Sequence, residues 1–245
     1  HYQLPPTIKS TEAAQKGLGM TLMEKVVALH PEAVVLLEEQ YRMNETIMGF
    51  SSKEFYEGRL LAHSSVAHHL LFPGDQPLLF IDTAGCGFEE KWEGNSISNP
   101  EEAAFLIKHL THFVKELKAI YTEDSFPRIG VISPYRHQVE LLKEAVLASP
   151  LLQEAGAAIT VNTIDSFQGQ ERDAVYISMT RSNADSVIGF LSEIRRMNVA
   201  MTRARKKLVV IGDSATLSQA AFYADFIAYA QEHNAYVSAW EFMEW

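Results

Sequence analysis

Residues 159–213 read ITVNTIDSFQGQERDAVYISMTRSNADSVIGFLSEIRRMNVAMTRARKKLVVIGD, and this stretch decides the fold class. A polar loop from Asp165 to Asp173 separates two runs rich in β-branched residues, and a helical stretch from about Arg195 leads into a third run. Short β-branched runs that alternate with helices predict a mostly parallel, doubly wound α/β sheet. The predicted strands are Ile159–Ile164, Ala174–Met179 and Leu208–Ile211.

The helix predicted from Arg195 has one apolar stripe. Its apolar residues recur at helical spacing: Met197, Ala200, Met201, Ala204 and Leu208. On the helical wheel, Arg196 and Arg203 share one flank of this stripe, while Asn198 and Arg205 share the other. One helix is therefore predicted to present guanidinium groups in two directions.

The chain carries a formal net charge of −10 over 245 residues, yet one short segment is strongly basic. From Ile194 to Gly212 there are six basic residues and no acidic residue. Such an island is typical of a solvated helix face or of a surface that binds an anion, such as phosphate or nucleic acid. In the preceding loop Gly169 permits close approach of the backbone, and Gln168 and Glu171 place polar groups beside it.

TIDSFQGQE at 163–171, followed by RRMNVAMTRAR at 195–205, resembles motifs five and six of the superfamily 1 helicases. The likeness is to the superfamily 1B branch that includes the nonsense-mediated-decay and immunoglobulin-mu-binding-protein helicases, and the segments at 62–71 and 81–87 add to it. The resemblance implies a RecA-like, P-loop NTPase fold without a phosphate loop of its own. It also implies ATP-driven, 5′-to-3′ translocation along DNA or RNA, with this chain as the second motor domain.

The resemblance divides the chain into two parts. Residues 1–32 would be a remnant of the first motor domain and a linker helix, and residues 33–245 the second RecA-like domain. The start at HYQLPP, without Met, indicates an excised piece, and the second domain is predicted to begin with a strand at Ala33–Leu37. A helix is predicted over residues 18–30, and Pro31 ends it. Four apolar residues share one face of this helix: Leu18, Leu22, Val26 and Leu29.

The resemblance implies the nucleotide-binding residues. Arg42 and Arg203 would be arginine fingers on the triphosphate, Gln3 would sense the γ-phosphate, Tyr41 would lie near the nucleotide, and Glu171 would contact the ribose or orient a finger. The set is Gln3, Tyr41, Arg42, Gly169, Glu171 and Arg203. ATP and Mg²⁺ are the implied cofactors, with the Mg²⁺ ligands on the first motor domain. The alternative for the Tyr41–Arg42 pair is a core tyrosine and a surface ion pair with Glu38 or Glu39.

Another group is predicted at the nucleic acid. The strand Arg128–Ser133 ends in a Ser-Pro-Tyr segment that resembles a family segment on the nucleic-acid backbone, and a helix cap with a core tyrosine would fit the same letters. That segment contributes Ser133, Pro134, Tyr135 and Gln138. Strand contact or coupling is predicted for Thr163, Ser166, Arg181, Ser182 and Asn198.

The remaining segments give simpler predictions. LLFIDTAGC at 78–86 predicts a buried strand and a glycine turn, residues 88–99 a mobile loop, and residues 214–231 one closing helix followed by an aromatic-rich tail. Asn99 and Pro100 are typical of a helix start and predict a helix over Glu101–Lys118. Five apolar residues are predicted to pack it on the sheet: Ala104, Ile107, Leu110, Val114 and Leu117.

Three histidines at 63, 68 and 69 permit a metal site but fit surface positions on a short helix better, and the resemblance sets no metal there. DTAG at 82–85 also resembles a GTPase motif, but the chain has no Gly-Lys-Ser/Thr phosphate loop to accompany it.

Partners and location follow from these features. Single-stranded DNA or RNA and the first motor domain are the predicted partners, and no apolar run reaches the roughly 20 residues of a membrane span. Cys86 is the single cysteine, which excludes an internal disulfide and favours an intracellular, cytoplasmic or nuclear location. An alternative class is a nucleic-acid or protein interaction module that uses this fold without hydrolysis. By itself the chain is predicted not to hydrolyse ATP.

Overall fold

The computed structural model describes residues 4, 10, 12, 14–94 and 96–243. The strands, in chain order, are Glu39–Gln40 (β1), Leu61–Ala62 (β2), Leu78–Asp82 (β3), Lys91–Glu93 (β4), Ser96–Ser98 (β5), Ile129–Ser133 (β6), Ile159–Thr163 (β7), Arg172–Ser178 (β8), Ala204–Gly212 (β9) and Tyr236–Ser238 (β10). The α-helices are Leu22–Leu29 (α1), Glu45–Tyr56 (α2), Ser64–Ala67 (α3), Pro100–Ile120 (α4), Arg136–Ala148 (α5), Pro150–Glu154 (α6), Ile194–Met201 (α7), Ser214–Leu217 (α8) and Ala221–Glu232 (α9).

A six-stranded parallel sheet in the order β10-β3-β9-β8-β6-β7 forms the centre of the molecule. Alternate residues of its strands point to two separate cores, so that Val175 and Ile177 pack on one side while Ala174 and Tyr176 pack on the other. Helices α2, α7 and α9 cover the first side, and α4 and α5 cover the second. Burial on both faces explains why the strands read as continuous apolar runs. The doubly wound, parallel α/β prediction is confirmed.

Helix α4 begins where the sequence predicts. The Asn99 side chain accepts a hydrogen bond of 3.0 Å from the Glu102 amide, and Pro100 occupies the first turn. Ala104, however, is exposed, and Ala103, Phe105 and other residues beside the predicted stripe complete the buried face. The helix contacts α5 and α6 as well as strands β8 and β9, so its buried face is wider than a single stripe.

Helix α7 ends at Met201, earlier than its apolar spacing suggests. Ala204 and Leu208 lie on β9, where they also satisfy the two-residue period of a strand. The predicted shared flanks are therefore wrong, since Arg203 lies in the turn after α7 and Arg205 on β9. The apolar spacing mispredicted the end of the helix because a short apolar run fits both the helical period and the two-residue period of a strand.

The strand predicted at Ala33–Leu37 is also wrong. A 3₁₀ turn covers Pro31–Ala33, and the residues after it form no strand, with Val35 82% and Leu37 81% exposed. The first strand is β1, which pairs with β2 in a separate two-stranded parallel sheet. A segment of β-branched and other apolar residues forms a strand only if a neighbouring strand is there to hydrogen-bond with it.

Three further predictions are corrected. Residues 88–99 contain an antiparallel hairpin, β4 with β5, instead of an unstructured loop. The single closing helix is two helices, α8 and α9, and the former is capped by the Asp213 side chain. The aromatic tail contributes β10, which pairs with β3 at the edge of the central sheet.

The helix predicted over residues 18–30 is shorter in the structure. Helix α1 starts only at Leu22, after a capping box of Thr21 and Glu24, and Leu18 lies outside it in a π-helical turn. The apolar residues Leu22, Val26 and Leu29 of α1 are exposed. Across the described ranges, none of the helices is long and apolar enough to cross a membrane.

Candidate nucleotide and nucleic-acid sites

The predicted functional residues lie at opposite ends of the parallel strands. Arg203 and Glu171 precede the first residues of β9 and β8, whereas Ser133 ends β6 and Arg181 follows the end of β8. The seven residues of β8 separate the two ends by roughly 20 Å at about 3.3 Å per residue. The strand ends therefore define two surfaces, here called the arginine edge and the polar edge.

Arg203 is fixed by neutral groups at the arginine edge. Its Nε donates to the Val199 carbonyl at 2.9 Å, Nη1 to the Gln170 carbonyl at 3.2 Å, and Nη2 to the Thr202 hydroxyl at 3.3 Å. Burial and the neighbouring positive charge of Arg42 lower the pKa of Arg203 to about 10. Within the described chain no carboxylate forms an ion pair with it. A partly buried cation held by neutral groups favours an incoming anion.

Arg42 approaches Arg203 from the turn after β1. The Gln40 side chain fixes this turn, since its Oε1 accepts from the Arg42 amide at 2.7 Å and from the Met43 amide at 2.8 Å. The Arg42 Nε pairs with Glu171 Oε2 at 2.8 Å, and its Nη1 donates to the Thr202 carbonyl at 3.3 Å. The alternative ion pair with Glu38 or Glu39 is therefore wrong. Gln40 was missed from the sequence because nothing in its own letters distinguishes it from a surface glutamine.

Tyr41 presents its ring to solvent beside Arg42. It is 61% exposed, which excludes the core position considered from the sequence. Its ring stacks on His63 with centroids 4.3 Å apart, and its hydroxyl donates to Glu39 Oε2 at 2.9 Å. That hydrogen bond to a carboxylate raises the pKa of Tyr41. One face of the Tyr41 ring stacks on His63, and the exposed ring can stack on a flat nucleotide base.

Glu171 lies between two arginine side chains at the arginine edge and pairs with both. Its Oε2 receives Arg42, and its Oε1 lies 3.7 Å from the Arg205 Nε. Gly169, two residues earlier, has a φ of +76° and is exposed, with open space where a side chain would begin. The prediction for Gln3 falls outside the described residues.

At the polar edge, four predicted nucleic-acid residues are buried. Ser133, Gln138, Arg181 and Asn198 have almost no accessible surface, so direct contact with a strand is wrong for them in this conformation. Tyr135 is also largely buried, as the core-tyrosine alternative predicts, and the Ser133 hydroxyl accepts from its amide at 3.3 Å. Polar letters at strand ends are ambiguous because a strand end can face the core or the solvent.

The accessible members of the predicted set are Pro134, Thr163, Ser166 and Ser182. Thr163 and Ser166 place their hydroxyl oxygens 3.3 Å apart at the end of β7. Neutral hydroxyls of this kind bind phosphate oxygens in many nucleic-acid complexes.

Arg181 is neutralised within the protein. Its Nε and Nη2 make a bidentate pair with Glu90, at 2.8 and 3.1 Å, and the two side chains are 3% and 6% exposed. Glu90 precedes the β4–β5 hairpin and also accepts from the Ser182 amide at 3.0 Å. A cleft of about 750 Å³ lies between this hairpin and the loop after Arg181, with Trp92 among its lining residues. Glu90 was missed because its partner is 91 residues away.

Helix α7 connects the two edges. Near its start Arg196 pairs with Asp165 at 2.5 Å, in the turn between Thr163 and Ser166, and lies 4.8 Å from the centre of the Phe190 ring. After its end comes Arg203. One short helix thus contacts both candidate sites.

Two of the three histidines at 63, 68 and 69 have structural roles. His63 accepts from the Ser65 amide at 3.2 Å as the cap of α3, and His68 pairs with Glu45 at 3.0 Å. Over the part of the chain that the structure describes, no group of three or more His, Cys, Asp or Glu side chains is placed to hold a metal ion.

Residues 18–215 match the family model described as an AAA domain. The chain is 40% identical to the DNA-binding protein SMUBP-2 of Rattus norvegicus, over 100% of this chain and 25% of that protein. It is 35% identical to the DNA polymerase alpha-associated DNA helicase A of Saccharomyces cerevisiae, over 99% of this chain and 35% of the relative. With the Regulator of nonsense transcripts 1 of Dictyostelium discoideum the identity is 34%, over 97% and 18% of the two chains. The chain thus spans 18% to 35% of the length of these relatives.

Proposed function

Because this chain belongs to the superfamily 1B helicases of the nonsense-mediated-decay type, we propose that it acts as the second motor domain of an ATP-dependent helicase. Residues 33–245 would form that domain, and residues 1–32 would belong with the first motor domain and the linker. The observation that carries the proposal is the pair of arginines at one edge, of which Arg203 has no carboxylate partner in the described chain.

ATP hydrolysis is phosphoryl transfer to water, in which catalysis depends on positioning and on neutralising charge. Mg²⁺, when bound with ATP, neutralises part of the phosphate charge. Arg203 and Arg42 would bind the phosphate oxygens, since planar guanidinium groups match them in two-point contacts. Gln3 would sense the γ-phosphate.

Tyr41 would stack on the nucleotide base, and Gly169 would let the backbone approach the ligand closely. Glu171 would contact the ribose, and in the observed structure it orients Arg42 through the 2.8 Å pair. Helix α7 would then transmit a change at the arginine edge to Thr163 and Ser166, because Arg196 holds the turn between them.

Single-stranded DNA or RNA would lie along the polar edge. Pro134, Thr163, Ser166 and Ser182 would contact its backbone, while the buried residues position them. Repeated closure on ATP and opening after hydrolysis would move the domain along the strand in the 5′-to-3′ direction.

The proposal is tested with the complete protein, assayed for ATP turnover with and without single-stranded oligonucleotide. We expect strand-stimulated hydrolysis, and we expect Arg42→Ala to abolish most of it. Arg59→Ala is the matched control, because Arg59 is an exposed arginine that pairs with Glu38, at 3.8 Å, and not with Glu171. Strand binding without any hydrolysis by the wild type would instead support the interaction module.

Binding by the 245-residue chain gives a second test. We expect weak binding to single strands with a modest salt dependence, because so acidic a chain neutralises few phosphates. Tighter binding to duplex, or a steep salt dependence, would contradict the assignment of the polar edge.

A further inference from the structure

Thr180 has an unusual backbone at the polar edge. It follows β8 with a φ of +71°, a left-handed conformation, and it is completely buried. A β-branched residue is strained there, because its side chain crowds the backbone. Thr180 also sets the direction of the chain into Arg181 and Ser182. Neighbouring contacts must therefore hold this conformation.

Those contacts come from the start of α4. The Thr180 amide donates to Glu102 Oε1 at 2.9 Å, and the Thr180 carbonyl accepts from Asn99 Nδ2 at 3.4 Å. The Ser178 hydroxyl donates to the same Glu102 oxygen at 2.5 Å. Both backbone polar groups of the strained residue are thus fixed by one helix start.

The same hydrogen bonds extend to the Ser-Pro-Tyr segment. Gln138 Nε2 donates to the Ser178 hydroxyl at 2.9 Å and to the Asn99 carbonyl at 3.1 Å. The hydroxyl oxygens of Ser133 and Thr180 lie 3.0 Å apart. The ends of β6 and β8 are therefore held together through one buried network.

A carboxylate at position 102 destabilises the fold, because it is buried and only partly hydrogen-bonded. It is completely buried, and its Oε2 has no hydrogen-bond partner in the described structure. Burial raises the pKa of Glu102 to about 7, although the hydrogen bonds from Ser178 and Thr180 act in the opposite direction. An apolar side chain would avoid the desolvation of a buried carboxylate. Packing alone therefore does not explain a glutamate at this position.

We propose that Glu102 is a positioning residue that holds Thr180 in its left-handed conformation and so sets Ser182 and the adjoining chain for strand binding. This inference rests on the proposed function of the polar edge. Glu102 acts by accepting hydrogen bonds, so any residue that offers an oxygen at the same place can serve. The need for an acceptor disappears when residue 180 adopts a positive φ without strain, as glycine does.

The test compares four variants of the 245-residue chain by fluorescence anisotropy with a labelled oligothymidylate. Glu102→Met, which lacks the acceptor, should raise the Kd about tenfold or more, because the apparent Kd scales inversely with the competent fraction. Glu102→Gln keeps an acceptor oxygen and should stay within about threefold of the wild type, since hydrogen bonding and not charge sets the turn. Glu102→Met combined with Thr180→Gly should recover most of the binding. Thr180→Gly alone should bind like the wild type.

Hydrogen exchange at the Thr180 amide provides a readout that does not need the ligand. We expect protection in the wild type and in Glu102→Gln, and loss of protection in Glu102→Met. If the wild type does not bind the oligonucleotide, the proposed function fails while the exchange still tests the hold on Thr180. Unchanged exchange in Glu102→Met, or a binding loss that Thr180→Gly does not reverse, would overturn the inference.

If Glu102→Met does not fold, Thr180→Gly is compared with Thr180→Ala. Both lack the hydroxyl and both keep the backbone amide that Glu102 holds, so both should bind like the wild type. Only alanine keeps the strain of a positive φ, so the glycine variant should have the higher melting temperature. Equal melting temperatures would show that residue 180 is not strained and would overturn the inference as well.

Discussion

Arg203 is the residue for which the structure makes the sharpest kinetic prediction. In the complete protein, Arg203→Ala should lower kcat for ATP by about 10³-fold or more, as the loss of an arginine finger does in related chemistry. ATP affinity should fall less, because an arginine finger of the proposed kind acts mainly on charge that develops in the transition state. Steady-state kinetics at saturating single-stranded oligonucleotide measure both effects.

Two variants accompany this measurement. Arg203→Lys should restore little activity, because an ammonium group cannot keep three separate hydrogen bonds and still offer a planar pair to phosphate. Arg59→Ala, the exposed control, should behave as the wild type. Unchanged kcat in Arg203→Ala would remove this residue from the mechanism.

Glu102 makes the stability of the chain depend on pH. Its pKa is about 7 in the folded protein against an ordinary value of 4.5, so the folded state holds a proton that the unfolded state releases. The resulting stabilisation is complete below pH 4.5 and is lost as the pH rises through 7. Asp213, whose negative charge adds to the effect of burial, strengthens the same trend.

Urea unfolding at two pH values tests this dependence. Between pH 5 and pH 8 the wild type should lose about 2–3 kcal/mol more unfolding free energy than Glu102→Gln, which cannot titrate. Equal pH dependence in the two proteins would show that the carboxyl remains ionised throughout.

Among the elements, the β4–β5 hairpin depends on one buried ion pair. Glu90→Ala removes the partner of Arg181 and leaves its guanidinium buried, with Tyr135 as its remaining side-chain contact, at 3.4 Å. We expect a loss of about 3–5 kcal/mol in unfolding free energy, the usual cost of an uncompensated buried charge. Glu89→Ala is the matched control, because Glu89 is the exposed neighbour and should change stability little. A similar small change in both variants would mean that solvent reaches Arg181.

The secondary-structure elements also show how much of the fold can be predicted from the sequence. Strands β3, β6, β7, β8 and β9 and helix α4 were predictable, because long apolar runs and a distinct Asn-Pro start are local signals. The hairpin and β10 were not, since short exposed strands depend on the neighbour with which they pair. The end of α7 was misjudged because its apolar residues continue into β9 at a spacing that also fits a helix.

The candidate sites divide in the same way. Arg42, Arg203, Tyr41 and Glu171 are marked by their motifs, and the structure brings the side chains of Arg42 and Glu171 into contact. Sequence reasoning could not separate accessible from buried residues at the polar edge, since serine and glutamine occur in both settings. Glu102, Thr180 and Glu90 carried no signal at all, because their importance lies in contacts between distant segments.

At the scale of the whole molecule, the two candidate sites lie at opposite ends of one rigid sheet. A parallel sheet buried on both faces transmits little deformation, so coupling between its ends requires an element that contacts both. Helix α7 meets this need, with Arg196 paired to Asp165 near its start and Arg203 just beyond its end. A shift of this helix would therefore change both edges together.

The proposed function makes the arginine edge one half of a nucleotide site, and this determines what we expect the chain to do by itself. No stretch of the 245 residues reads Gly-x-x-x-x-Gly-Lys-Ser/Thr, the loop that cradles the β- and γ-phosphates in such enzymes. Arg42 and Arg203 lie half-buried on an otherwise open surface. Solvent weakens the attraction between charges at such a surface, so we expect the two arginines to bind nucleotide only weakly by themselves.

The 245-residue chain should therefore show only background ATP hydrolysis, with or without single-stranded oligonucleotide. Turnover should appear when the first motor domain is supplied in the same chain, because we propose that this domain carries the phosphate loop and the Mg²⁺ ligands. Phosphate release by the folded, purified chain measures the first state, and Arg203→Ala separates true activity from a contaminant. Steady hydrolysis that Arg203→Ala abolishes would place the phosphate-binding half of the site within these residues and would refute the division proposed here.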